Sequence, residues 1–116
     1  MNFSTEKAIY VQIADRLCDE ILTGKFADDE RIPSVREYAV LLEVNTNTTV
    51  KSYDLLEQQG VIYKKRGLGY FVTAGAKEKI LEERRREFME TRLPEMFRQM
   101  RMLGIGLEEV EKAWNE

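Results

Sequence analysis

The chain has no histidine, one cysteine, one tryptophan and two prolines among its 116 residues. Each scarcity removes a class of function. Without histidine, and with Cys18 alone, there is no ligand set for a transition metal and no imidazole for acid–base catalysis. A lone cysteine forms no internal disulfide, and Cys18 falls at or beside the Ile13, Leu17, Ile21 spacing, where a buried thiol is expected. No apolar run approaches the roughly 18 residues that span a bilayer, and no basic-then-apolar leader opens the chain. A cytoplasmic location is therefore expected, with no membrane partner, no metal and no cofactor. Glu82, Glu83 and Glu87 share one helix, but nothing apolar near them shapes a pocket, so no enzyme is expected.

What is present reads as a globular domain, or a small domain with an appendage: 43% of residues are hydrophobic and 34% charged. The 18 basic and 21 acidic residues sum to −3, which by itself does not point to nucleic acid. Their distribution is more telling. Between Arg31 and Val72, Arg31, Arg36, Lys51, Lys64, Lys65 and Arg66 face only Glu37, Glu43, Asp54 and Glu57, so a mildly basic middle lies between acidic flanks.

Ile9, Ile13, Leu17 and Ile21 form a row at i+4 spacing, which predicts a helix over 9–23 that stops at Gly24. KFADDE reads as a loop. In RIPSVREYAVLLEV, Ser34 follows Pro33 and precedes Glu37 by three residues, the spacing of a capping box. Val35, Tyr38, Ala39, Leu41 and Leu42 then form the apolar side of a short helix ending near Glu43. Val44 and Asn45 leave room only for a tight turn before the next helix, which is the spacing of a helix-turn-helix. VIYKKRGLGYFV follows as a hairpin with a glycine-containing tip. The expected fold is mainly α with a small β-hairpin: a winged helix-turn-helix domain over 1–75, a hinge at TAGA, and a helical appendage over 76–116. Pro94 should kink or restart a helix in that appendage, and Gly104 and Gly106 should break it again before a last helix with Leu107, Val110 and Trp114.

The third helix is unusual at its front end. Six of the nine residues in VNTNTTVKS are Asn, Thr or Ser, which compete with the backbone for hydrogen bonds and form helices poorly. Thr49, Ser52, Tyr53 and Leu56 recur at i, i+3, i+4, i+7 and are expected to face the core. Thr46, Asn47, Val50, Lys51 and Asp54 lie opposite. Hydroxyls and amides at the front of such a helix suit phosphates and base edges, and the methyls of Thr and Val suit thymine. Asn45 and Thr46 serve equally well as helix caps, so for them both roles stand. Asn47, Thr48 and Lys51 lie beyond the cap and are expected to contact DNA, as is Arg36 on the outer side of the preceding helix. A hairpin with a basic tip is common on soluble proteins, but directly after such a helix KKRGLGY reads as a DNA-contacting wing, with Lys65, Arg66, Gly67 and Gly69 at its end.

YVQIADRLCDEILTGKF and RIPSVREYAVLLEVNTNTTVKSYDLLEQQGVIYKKRGLGYFV resemble the GntR-type winged-helix regulators across Tyr10 to Val72. The IPSVRE start, the VNxNT turn, Lys51 and Tyr53, the LLEQQGVI step and the RGxGYFV wing carry the resemblance. The tail, with LGIGLEEV, resembles the YtrA-like subfamily, whose members lack a large effector domain and dimerise through this appendage. The resemblance implies a bacterial transcription regulator, a repressor, on an inverted-repeat operator in double-stranded DNA. It also implies contacts from Arg36, Thr46, Asn47, Thr48, Lys51 and the wing around Arg66 to Gly69. Two departures matter: Thr46 stands where the subfamily often has proline, and Thr49 and Ser52 stand where it is more apolar, which predicts a loosely packed recognition helix.

The appendage carries Leu81, Phe88, Leu93, Met96, Phe97, Met100, Leu103, Val110 and Trp114, more apolar surface than so small a piece can bury alone, so these residues are expected to form a homodimer contact. The charges of Arg84 to Arg86 are balanced by Glu82, Glu83, Glu87 and Glu90 at i,i+3 and i,i+4 and take no DNA role. A small-molecule effector is unknown; a place for one would lie between paired tails near Phe88, Phe97 and Trp114. The alternative function is a winged-helix protein-interaction module, favoured by the net acidity.

Overall fold

The computed structural model describes residues 3–116. Helix α1 spans Ile9–Leu22 and buries Ile13, Ala14, Leu17, Cys18 and Ile21 on one face. Helix α2, Val35–Leu42, starts with the expected capping box. The Ser34 hydroxyl accepts the Glu37 N–H, and the Glu37 carboxylate accepts the Ser34 N–H, both at 3.1 Å. The Ser34 N–H first, and then the Ser34 hydroxyl, hold the Glu37 carboxyl below the usual carboxylate range, with the charge of Arg31 adding to them.

The exit from α2 makes the tight turn. Glu43 adopts left-handed backbone (φ 57°, ψ 47°), with its N–H on the Val40 carbonyl and the Val44 N–H on the Ala39 carbonyl. This is the Schellman arrangement, here built without the glycine that ordinarily occupies its left-handed position. Only Tyr38, Ala39 and Leu42 of α2 are buried. Leu41, expected on the apolar side, is 60% exposed. It is turned about 100° from Leu42, outside the narrow arc that a two-turn helix presents to its neighbours.

Helix α3, Thr46–Gln58, buries Thr49, Ser52, Tyr53 and Leu56, the expected face. The expectation of loose packing is not met: Thr49 and Ser52 are both 0% exposed. The Thr49 hydroxyl reaches the Asn45 carbonyl at 3.2 Å, and Ser52 donates to the carbonyl of Tyr10. Small polar residues pack tightly here because each hydroxyl finds an acceptor.

Strands β1, Ile62–Lys65, and β2, Gly69–Val72, pair antiparallel with Ile62 opposite Val72 and Lys65 opposite Gly69. The segment before α2, which reads in sequence as loop and helix entry, adds a third edge. Arg31 bridges to Phe71, Ile32 donates to the Tyr70 carbonyl at 3.0 Å, and Val72 donates to the Glu30 carbonyl at 3.0 Å. The core joins α1, α2, α3, both strands, Ala76 and Ile80. At its centre the Tyr53 ring meets Tyr70 edge-on, centroids 5.0 Å apart, and its hydroxyl donates to the Pro33 carbonyl at 2.6 Å. Tyr38 donates to the Glu20 carboxylate, which also pairs with Lys25 at 2.9 Å.

Two compact units result, the first ending at Leu81 and the second spanning Glu82–Glu116. Helix α4, Ala76–Glu87, begins in the first unit because Ala76 and Ile80 are buried in its core. A π-helical turn, Phe88–Arg92, follows, then α5, Leu93–Leu103, and α6, Leu107–Trp114. The Leu93 N–H bonds to the Phe88 carbonyl five residues back. Pro94 lacks an N–H and crowds the carbonyl four residues before it; the winding widens just ahead of it and α5 restarts with Pro94 in its first turn, the restart the sequence predicts. Gly104 ends α5 and Gly106 caps α6, as the spacing predicts. Among the described residues, no helix is long and apolar enough to cross a membrane.

Candidate nucleic-acid interface

The front of α3 divides cleanly. Thr46, Asn47, Val50, Lys51 and Asp54 are exposed opposite the buried face, and Thr48 is half-buried between them. Asn45 is the cap: its side-chain oxygen accepts the Asn47 N–H at 2.8 Å. Thr46 occupies the first helical position, where proline is also well tolerated because that N–H needs no partner in the helix. No acidic residue sits in this first turn, so the positive end of the helix dipole is not offset. Arg36 is exposed in the first turn of α2. These side chains offer donors, acceptors, methyls and two cations over adjoining turns of two helices, the chemistry that reads base edges and phosphates.

The wing carries its charge in an ordered way. The Lys64 ammonium lies 5.7 Å from the centre of the Tyr70 ring. On the other face, Tyr63 and Phe71 stack with centroids 5.7 Å apart, and Lys65 lies 5.0 Å from Phe71 and 5.9 Å from Tyr63. The sequence places Lys65 at the tip; it is exposed, but its ammonium sits over the sheet. The tip itself is Arg66, Gly67 and Leu68, closed by the Leu68 N–H on the Lys65 carbonyl at 2.9 Å. Gly67 and Gly69 take φ of 79° and 110°, which a side chain would strain. The Tyr63 hydroxyl donates to Asp29 at 2.8 Å, which raises the phenol above its ordinary range.

One cation at this surface has no signal in the sequence. The Arg31 guanidinium lies across the base of the tip, its Nε 3.2 Å from the position a side chain at Gly69 would occupy. Nothing local marks Arg31 as part of the wing. It arrives there through pairing with Phe71, forty residues away in sequence.

In the appendage, Leu81, Phe88, Met96, Leu103 and Trp114 are exposed, Trp114 at 87%, and Leu93, Phe97 and Val110 are half-buried. Met100 departs from the expected contact stripe. It is only 8% exposed, already covered within its own chain. Met89 and Met102 are exposed and lie outside the expected set. Met89 lies in the π turn, where the wider winding displaces side chains from the 3.6-residue pattern, and Met102 lies opposite the stripe of α5. Arg86 pairs with Glu83 and, at 3.2 Å, with Glu90, the expected balance along α4.

Residues 9–72 match the family model of bacterial regulatory proteins of the gntR family. The HTH-type transcriptional regulator YhcF of Bacillus subtilis is 32% identical over 108 residues, covering 93% of this chain and 88% of its own. The HTH-type transcriptional repressor YtrA of the same organism is 31% identical over 104 residues, covering 90% of this chain and 79% of its own. A crystal structure of a GntR-family regulator from Bacteroides thetaiotaomicron superposes with a TM-score of 0.80 at 50% identity, covering 93% of this chain and 94% of that one. These relatives are regulators of transcription, not enzymes.

Proposed function

Because the chain belongs to the gntR family of bacterial regulatory proteins, which bind DNA to regulate transcription, we propose that it is a cytoplasmic repressor that binds an inverted-repeat operator as a homodimer. The observation that carries this reading is the division of α3: a fully buried face of Thr49, Ser52, Tyr53 and Leu56, and an exposed front of Thr46, Asn47, Val50 and Lys51. A helix that only packed would carry strong helix formers on that solvent side, where this one carries Thr46 and Asn47. In the proposed complex the front of α3 enters the major groove, Arg36 meets the flanking backbone, and the wing enters the neighbouring minor groove.

The homodimer rests on the appendage. Phe88, Met96, Leu103 and Trp114 stay exposed on a unit, Glu82–Glu116, too small to support itself by its own burial, and Leu81 is exposed just before it on α4. Two-fold pairing covers such a surface and doubles the DNA contact, and it matches an operator of inverted symmetry. The repressor assignment follows the likeness to YtrA.

The test is selection of bound duplexes from a random pool by the full chain, repeated with Asn47→Ala, Lys51→Ala and Arg36→Ala, beside sedimentation of the free protein. The expected result is an inverted repeat, bound by a dimer, with each variant weakened or altered in preference while still folded. A monomer at all concentrations, or variants that keep full affinity and specificity, overturns the reading.

A further inference from the structure

We propose that Leu68 is an apolar wedge that enters the minor groove beside the operator's major-groove contacts and bends the duplex there. The inference rests on the DNA-binding reading above and goes beyond it, since it assigns the wing a mechanical role.

Leu68 is 60% exposed and lies outside the hydrophobic core cluster and the residues packed on it. Single exposed leucines are ordinary on protein surfaces. Leu68 is set apart by where it stands. It occupies the summit of the hairpin between two glycines of positive φ, and nothing comes within 4 Å of the place a side chain would take at Gly67. The tip is thereby stripped to two projecting side chains, Arg66 and Leu68. The adjoining lysines are drawn back over aromatic rings, Lys64 over Tyr70 and Lys65 over Phe71. A bare apolar side chain on a hairpin that also carries Arg66, Arg31 and two lysines is complementary to a groove whose rim is anionic and whose walls are sugar.

A wedge also needs a stiff backing. Strand β2 has it on both edges: β1 on one side, and residues 29–32 on the other through the Asp29, Ile32 and Val72 backbone bonds. The Tyr63–Phe71 stack and the Tyr53–Tyr70 edge contact brace its two faces. Side chains of this type that enter the minor groove unstack a base step and kink DNA toward the major groove by about 20° or more. Flexible pyrimidine–purine steps yield most easily, so the wedge would favour them at a position read by no hydrogen bond.

The experiment uses the full chain, an operator selected by the wild type, and energy transfer between dyes at the duplex ends. Leu68→Ala is expected to remove the bend and weaken binding about five- to tenfold. It should also erase any preference for a flexible step under the wing. Leu68→Met should keep the bend. Leu68→Lys should restore affinity through an added phosphate contact yet leave the duplex straight, separating wedge from charge. An operator that is straight when bound by wild type, or bent equally by Leu68→Ala, overturns this inference while leaving operator binding intact. A wild-type chain indifferent to every duplex sinks the DNA-binding reading itself, and this inference with it.

Discussion

Ser52, in the middle of α3, donates its hydroxyl proton to the Tyr10 carbonyl 2.7 Å away, at the head of α1. The same oxygen stands 3.2 Å from the Thr48 carbonyl, a longer alternative for its single proton. The bond ties α3 to the helix behind it at a position where leucine or alanine would only fill space. Ser52→Ala is expected to destabilise the fold by about 0.5–1.5 kcal/mol, the net worth of one hydrogen bond, since the Tyr10 carbonyl keeps its partner within α1. Urea unfolding followed by circular dichroism measures it, and an unchanged midpoint would refute the role.

Glu43 holds left-handed backbone at the turn between α2 and α3. That conformation costs an ordinary residue about 1–2 kcal/mol, part of which glycine would give back in the flexibility it adds to the unfolded chain. Glu43→Gly should therefore raise stability by about 0.5–1 kcal/mol with DNA affinity little changed. A thermal melt that falls would show that Glu43 makes a compensating contact.

Burial, and then the hydrogen bond to the Glu20 carboxylate, push the Tyr38 phenol well above its ordinary range. Burial, with the charge of Glu20, does the same for Tyr53. Both favour the neutral phenol in the fold, so their stabilisation is complete below the unfolded value near 10 and declines as pH climbs beyond it. Above about pH 10 the unfolding free energy should drop by roughly 1.4 kcal/mol per pH unit for each tyrosine. Tyr38→Phe should be less stable at neutral pH and show a shallower alkaline decline. Denaturant midpoints from about pH 7 to about 11.5, a range that brackets the unfolded phenol, decide it.

Lys51 and Arg31 should act through phosphates, Asn47 through a base edge. Lys51→Ala should reduce the slope of log affinity against log salt by about 0.9 for each phosphate it ceases to neutralise, so about 1.8 for a dimer. Arg31→Ala should reduce it likewise, despite its distance in sequence from the helix-turn-helix. Asn47→Ala should leave the slope alone and relax base preference by about 1–3 kcal/mol at one position of each half-site. Titrations at four salt concentrations separate the two behaviours.

The helices and hairpin are legible in the sequence because their signals are local. The Ser34–Glu37 spacing, the i+4 row of α1 and the apolar stripe of α3 each report on neighbours within two turns. The polar front of α3 can be recognised because its residues are poor helix formers with no packing reason to be there. Arg31 cannot be found this way, since its place is set by strand pairing with Phe71. The tight packing of Ser52 escapes for the same reason: its acceptor belongs to Tyr10, on another helix. The π turn is hidden because Pro94 marks where a helix is disturbed and not how the winding adjusts.

Pro33 sits where three readers of a duplex would converge. One residue before it, Ile32 joins the wing sheet; one residue after it, Ser34 caps α2; and its own carbonyl is grasped by Tyr53 of α3. The ring restricts the backbone at this junction. α2, α3 and the wing are thus tied together through one residue. In the DNA complex proposed above, a caliper so joined would leave the work of fitting to the nucleic acid and sort sequences by how cheaply they comply.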